Sequence, residues 1–272
     1  MPIGMVTNKI TSHIKIKIFI KKLIHLNFVT RFFSRLILQR FYKTYRLFSN
    51  YQRLKGTLWV EWHKDLFDTW ALDKNKELYS EAANFYANFT LERKKIIQGL
   101  PISGGDSKAT GGGGANEALL YFLVRLINAQ TVLETGVSAG SSSRSILEAL
   151  NVNGKGKLYS SDLAIHLEKN QVGVLVSEKF RKNWFLTHEG DNINLPVIFE
   201  KEKKFDLIYY DSEKTYNGKK RFHEKIINLP APKIIVYDDI DRDSFFAECI
   251  KKFGYRYKVF GNAGIIFNSE KY

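Results

Sequence analysis

The chain has 272 residues, 44% of them hydrophobic, one cysteine (Cys249) and a net charge of +14. That size and apolar content predict one sizeable α/β domain plus an extension. The lone cysteine excludes a disulfide framework or a cysteine-based zinc site within one chain, and suits a reducing compartment.

The charge is concentrated at one end. Residues 1–60 hold 12 Lys/Arg and no Asp or Glu, leaving 30 Lys/Arg against 28 Asp/Glu in the remainder. Lys9 to Lys55 mixes these cations with Ile, Leu, Phe and Tyr. Lys21 and Lys22 break the apolar stretch Ile14–Val29, so no run of about 18 apolar residues forms and no transmembrane helix is expected. The same break, with no small-residue cleavage site after it, argues against a secretory signal. From Phe28 to Phe48 the residues Phe32, Phe33, Leu36, Ile37, Phe41, Tyr45 and Phe48 fall near helical spacing, with Arg31, Arg35 and Lys43 largely off the stripe. A basic amphipathic helix of this kind either lies on an anionic membrane surface or packs on the folded body. Nucleic acid is not expected, because a basic patch alone is not specific for it. A cytoplasmic protein, peripheral on the inner face of a membrane, is the corresponding expectation.

Helix is predicted over 57–100, with Leu78, Ala82, Phe85, Phe89 and Ile96 or Ile97 near one face. The Gly-rich stretch Pro101–Ala115 follows, and reads equally as a linker or as a lid over a cleft. A helix at Glu117–Ile127 comes next. Strands are predicted at 131–135, 157–161, 184–188, 205–210 and 233–237, and helices at 141–150, 166–179, 216–227 and 242–253. This alternation predicts a doubly wound parallel sheet. Tyr255–Phe260 and Gly264–Phe267 flank Gly261-Asn262, a hairpin signal that makes the last two strands antiparallel. The expected division is a basic segment 1–56, a helical region with the Gly-rich loop 57–115, and a ligand-binding domain 116–272.

Thr131–Ser143, TVLETGVSAGSSS, reads as a strand, a turn bracketed by Gly136 and Gly140, and a helix start capped by Ser141, Ser142 or Ser143. Glycine lets backbone approach a ligand, and a helix start aims N–H groups at it. Acidic and glycine residues recur at the predicted strand ends: Glu134 and Gly136, Asp162, Gly190-Asp191, Asp211, and Asp238-Asp239. In open α/β sheets ligands sit beyond those ends. The dinucleotide fingerprint G-x-G-x-x-G is absent, because position 138 is Ser.

The turn E-x-G-x-x-x-G and the terminal hairpin resemble the class I S-adenosylmethionine (SAM) methyltransferases over roughly residues 115–270. The resemblance implies a Rossmann-like seven-stranded sheet that binds SAM. It assigns Glu134, Gly136, Ser138, Gly140 and Ser142 to the cofactor turn and Asp162 to the ribose hydroxyls. Gly190 and Asp191 fall to the adenine side, with Asp211 at the same cleft.

Two further segments, FDLIYYDSEKTYNG and KIIVYDDID, resemble the metal-dependent O-methyltransferases of the catechol and caffeoyl-CoA type. Asp211 and Lys214 match that group's Asp and Lys three residues apart. Asp238 matches its later Asp, while Asp239 stands where Asn is usual. The first segment is also similar to a bacterial group with D-x-x-H-x-Y, in which Lys214 replaces His and Tyr216 is kept. The resemblance implies a hard divalent cation, Mg²⁺ by default, on Asp211, Asp238 and Asp239. It also implies catalysis by Lys214 as base, with Asp211. Without a metal, Asp238-Asp239 would end the strand and cap the next helix, and Lys214 would be a surface lysine in an ion pair. The expected function is O-methylation of a sugar, glycan or small phenol hydroxyl. The alternatives are an NAD-linked oxidoreductase on a Rossmann sheet, or a non-catalytic protein binding membrane or nucleic acid through its basic segment.

Overall fold

The computed structural model describes residues 28–98, 116–164, 167 and 169–272, with side chains from residue 40 onward. The Gly-rich loop, the apolar stretch before residue 28 and the side chains of Phe32, Phe33, Leu36 and Ile37 lie outside that description. The chain divides into units of residues 1–51 and 52–272.

Helix α1 spans Phe28–His63, continuing well past the predicted stripe. Among the described residues no helix is long and apolar enough to cross a membrane. The predicted helical region 57–100 resolves into the end of α1, then α2 (Phe67–Lys74) and α3 (Lys76–Gln98). Asn75 divides α2 from α3: its backbone is extended, and its side chain accepts a hydrogen bond from Leu78 N at 2.9 Å. This is the local competition with the helix backbone that makes Asn a cap rather than an interior residue.

Seven strands follow: β1 (Thr131–Thr135), β2 (Lys157–Ser161), β3 (Trp184–Thr187), β4 (Leu207–Tyr210), β5 (Ile234–Tyr237), β6 (Arg256–Phe260) and β7 (Ala263–Phe267). They form one sheet in the order β3-β2-β1-β4-β5-β7-β6. β1 to β5 pair in parallel, and β7 runs antiparallel to both β5 and β6. The fold is thus the expected Rossmann-like sheet with a terminal antiparallel hairpin. Chain order reverses between β1 and β4, which makes that junction the switch point where such sheets take ligands.

Successive strand residues point to opposite faces, and both faces are covered. Val132, Leu158, Leu207, Tyr209 and Val236 join a core with α2, α3, α4 (Glu117–Leu126) and α5 (Ser141–Val152). Leu133, Tyr159, Ile208, Tyr210 and Ile235 join the other core, with α6 (Asp191–Lys201), α7 (Tyr216–Ile226), α8 (Phe245–Phe253) and Val60 of α1. Burial on both faces is why the central strands β4 (LIYY) and β5 (IIVY) read as continuous apolar runs.

Two elements differ from the sequence expectation. The helix predicted at 166–179 does not form over 169–176, which is a series of turns followed by a short 3₁₀ helix at Glu178–Asn183. Backbone bonds from Gly173 N to Ser138 O (2.8 Å) and from Leu175 N to Ala139 O (2.9 Å) tie this segment to the Gly136–Gly140 turn instead. Gly173 takes φ +73°, and a Cβ there would meet the Trp184 ring at 2.1 Å. Conversely α6 forms where the sequence predicts no helix, with Pro196 inside it.

The C-terminal end of the β6 edge is covered. Asp65 forms a parallel bridge with Phe260, donating its N–H to Val259 O at 2.6 Å. Its carboxylate also pairs with Lys258 at 2.7 Å. Phe67 and Trp70 of α2 pack edge-on or tilted against Phe260 and Phe122.

Candidate active site

The predicted site residues all fall at the carboxyl ends of β1 to β5. Backbone bonds align these ends. Gly136 N donates to Ser161 O (2.8 Å), Asp162 N to Thr187 O (2.9 Å), Asp211 N to Thr135 O (2.8 Å) and Asp238 N to Tyr210 O (2.9 Å).

The β1–α5 turn is built for close approach. Gly136 has φ +82°, and a Cβ on it would lie 2.4 Å from the carbonyl oxygen of Asp211. Only glycine tolerates both conditions. Gly140, at φ +91°, would put a Cβ 2.8 Å from Gly173 Cα. Ser138 takes φ +50°, the left-handed conformation that the absent fingerprint glycine would have supplied freely.

Glu134 faces inward beneath this turn. It is fully buried, and its carboxylate accepts from Ser142 Oγ (2.6 Å), Ser143 Oγ (2.6 Å) and Ser160 Oγ (2.7 Å). Burial pushes its pKa up, opposed by the three hydroxyls. Glu134 and Ser142 therefore fasten strand, turn and helix to one another. Asp162 reaches back across the turn: Oδ2 accepts from Val137 N (2.8 Å) and Ser138 N (2.9 Å), and Oδ1 from Ala164 N (2.5 Å). Gly190 begins α6 at φ +81°. Asp191 bridges two other strand ends, accepting from Ser161 Oγ (2.6 Å) and Ser212 Oγ (2.5 Å). Burial raises its pKa against those two hydroxyls.

Asp211, Asp238 and Asp239 each present a carboxylate oxygen, and these oxygens lie within 4.8 Å of one another. Lys214 sits among them. Its ammonium pairs with Asp211 Oδ1, and with Asp239 Oδ2 at 2.9 Å. The spacing in sequence explains the first pair, since Asp211 ends β4 and Lys214 falls in the turn before α7. Asp238 is the buried member. Asn116 Nδ2 (3.2 Å) and Asp239 N (2.8 Å) donate to its Oδ1, and Tyr209 OH (3.3 Å) to its Oδ2. Burial lifts its carboxyl to about 6; Lys214 pulls against this, and Asp239 reinforces it. Burial also acts to raise Asp239, but Lys214, Arg242 and Asn262 outweigh it and hold its carboxyl below the usual range. Tyr216 is not in this cluster: its hydroxyl donates to Glu248 at 2.7 Å.

Three oxygen donors this close match the preference of a hard divalent cation. Lys214 supplies positive charge among the three adjacent carboxylates, and Arg242 adds to it at Asp239, 3.5 Å away.

The residues that hold the acidic turn were not found from the sequence. Lys219 is fully buried; its Nζ donates to Asp239 O (2.8 Å) and pairs with Asp243 Oδ2 (2.8 Å). Asp243 Oδ1 accepts from Phe245 N at 2.8 Å, starting α8. Asn262, in the β6–β7 turn, donates to Asp239 Oδ1 at 3.1 Å. Lys219 lies within the run Lys219-Lys220-Arg221, where nothing marks one cation as internal.

Residues 133–240 match the family model of a methyltransferase domain. No curated protein matches the chain. Among solved structures, the chain is similar to a Podospora anserina methyltransferase bound to S-adenosylhomocysteine. Identity there is 16% and the TM-score 0.48, over 72% of this chain and 97% of the other. It is also similar to an O-methyltransferase from Bacillus cereus in complex with S-adenosylhomocysteine. There the identity is 15% and the TM-score 0.41, over 77% of this chain and all of the other, 100%. The match to a methyltransferase domain lies on the strands and turns described above and agrees with the resemblance to the class I SAM-dependent methyltransferases.

Proposed function

We propose that this methyltransferase moves the methyl group of SAM to a hydroxyl oxygen of a sugar, a glycan or a small phenol. The observation that carries the proposal is the convergence of Asp211, Lys214, Asp238 and Asp239 beside the Gly136 turn. The turn from Gly136 to Gly140, including Ser138, cradles the amino-acid end of SAM. Glu134 and Ser142 hold that turn in shape from below. Asp162 stands for the ribose hydroxyls, exchanging its present turn contacts for them, and Gly190 and Asp191 flank the adenine side.

At the other end of the cleft, Asp211 orients Lys214, whose ammonium first releases a proton to solvent; the neutral amine then takes the acceptor's hydroxyl proton and returns to the ammonium form. The oxygen then attacks the methyl carbon in line with the departing sulfur. Much of the acceleration comes from holding these two partners in attack geometry. Asp211, Asp238 and Asp239 are the residues that would hold a divalent cation. Such an ion, when bound, supplies Lewis-acid chemistry that binds acceptor oxygens and lowers a hydroxyl pKa. The acid-free N-terminal segment is assigned to an anionic membrane surface on the cytoplasmic side, in keeping with its charge.

A thermal-shift titration tests the reading. Saturation with S-adenosylhomocysteine at one hundred times its Kd should stabilise the fold by about 2.7 kcal/mol. No shift at any concentration would sink the SAM assignment. In the same format Mn²⁺ should stabilise the wild type and leave Asp238→Ala unmoved. An equal response from both would remove the cation from Asp238.

A further inference from the structure

Helix α1 carries an apolar stripe on the wrong side. Its C-terminal part is fastened to the body through Gly56, where a Cβ would lie 2.4 Å from Asp243 O, and through Val60, which is buried. Gln52 contacts Ser244, and Thr57 Oγ1 donates to Asp241 O at 3.3 Å. The opposite side should be polar. Instead Leu54, Leu58 and Trp62, at i, i+4 and i+8, are 56%, 51% and 84% exposed. Leu66, just beyond the helix, is 74% exposed. Lone surface leucines need no explanation, but a row at helical spacing ending in a tryptophan does. The spacing also runs back through Leu47 and Tyr51.

Charge identifies what covers this face. The first 60 residues contain 12 cations and no acid, and the one acid on α1, Glu61, is paired with Lys64 at 2.7 Å. A second copy laid along the same helix would bring like charge against like charge. Residues 1–27 of the chain would do the same, since their only charged side chains are basic. Nucleic acid complements the charge, but a phosphate backbone offers nothing to a leucine row. A bilayer with acidic headgroups answers both features: acyl chains take the leucines, the headgroup boundary takes the tryptophan ring, and the phosphates take the cations.

We propose that the Leu54–Leu58–Trp62 face of α1 docks on an anionic membrane surface. This gives the membrane assignment above a specific surface. The reverse of the helix holds residues 241–244, which follow directly on Asp238 and Asp239. Docking therefore sets the acidic end of the active site in a fixed relation to the membrane, as an amphipathic or lipid-linked acceptor requires.

The test is flotation of the full chain with vesicles of equal parts phosphatidylcholine and phosphatidylglycerol, beside pure phosphatidylcholine vesicles. The mixed vesicles should bind the protein, less so at high salt. Leu58→Ser with Trp62→Ser should weaken that binding at least about tenfold. The S-adenosylhomocysteine thermal shift should not change, which separates a failure of docking from a failure of the SAM site. Undiminished binding by the double variant would overturn the proposal, as would equal binding to both vesicle types. A dimer in sedimentation velocity that dissolves in the double variant would assign the face to a second copy, and loss of single-stranded RNA binding would assign it to nucleic acid.

Discussion

Replacing Lys219 by Met should unfasten the turn that carries Asp238 and Asp239. Lys219 and Asp243 have side chains 0% and 3% exposed, so neither charge is solvated in the fold. Met fills most of the lysine's apolar stem but leaves the Asp243 carboxylate buried and unpaired. Breaking a buried pair in this way costs about 3–5 kcal/mol, against about 0–1 for an exposed one. The loss of the donor to Asp239 O adds to that cost. The figure is a large fraction of a typical domain's stability. Urea unfolding followed by circular dichroism should show a midpoint well below wild type at unchanged slope. Asp243→Asn keeps the acceptor for Phe245 N while removing the charge, so adding it to Lys219→Met should recover part of the loss. A cost for Lys219→Met below about 1 kcal/mol would refute the reasoning, because that is the range of exposed pairs. So would a double variant no more stable than Lys219→Met alone.

Gly136→Ala should destabilise by at least about 1–2 kcal/mol from the positive φ alone, with more from the contact with Asp211 O. Its S-adenosylhomocysteine thermal shift should vanish; a normal shift would show that the turn does not form the cradle. His223 gives a pH prediction. Its ring is packed among Tyr237, Phe245, Phe253 and Tyr255, and burial lowers its pKa to about 4. The unfolded histidine titrates near its ordinary 6.5, so between about 6.5 and 4 the unfolded chain binds more protons. This contribution is complete above pH 6.5 and is lost as pH falls toward 4, by about 2 kcal/mol between pH 7 and pH 5. Urea unfolding at those two pH values should show a smaller difference for His223→Gln; an identical one would remove the assignment.

The fold was legible where apolar runs met punctuation. β1 to β5 are short runs closed by acid or glycine, and Gly261-Asn262 marked the hairpin. The sites where the reading failed share a cause: the decisive contact is distant in sequence. Residues 169–176 hold three valines, Asn170 and Gly173, all poor helix formers, and Ser138 O and Ala139 O take the N–H groups of Gly173 and Leu175. Helix α6 forms around Pro196 although no helix is predicted over 191–201. Asp211, Lys214, Asp238 and Asp239 could be named because they sit at strand ends. Glu134 and Ser142 could be named too, but not the hydroxyl shell of Ser142, Ser143 and Ser160 that places Glu134 inside rather than in the cleft. Nothing local distinguishes Lys219 from Lys220, because only the tertiary fold decides which of the two is internal.

The strap that Asp65 lays across the end of β6 has a consequence for any attempt to cut the molecule down. A fragment starting at residue 116 would keep all seven strands and the methyltransferase match. It would also lose the strap and the α2 aromatics together, uncovering a strand edge with Phe260 at its tip. An open edge beside exposed aromatic rings invites pairing with its own kind. Such a fragment would aggregate rather than report on catalysis, so the helices before the Gly-rich loop act as the sheet's protection against self-association.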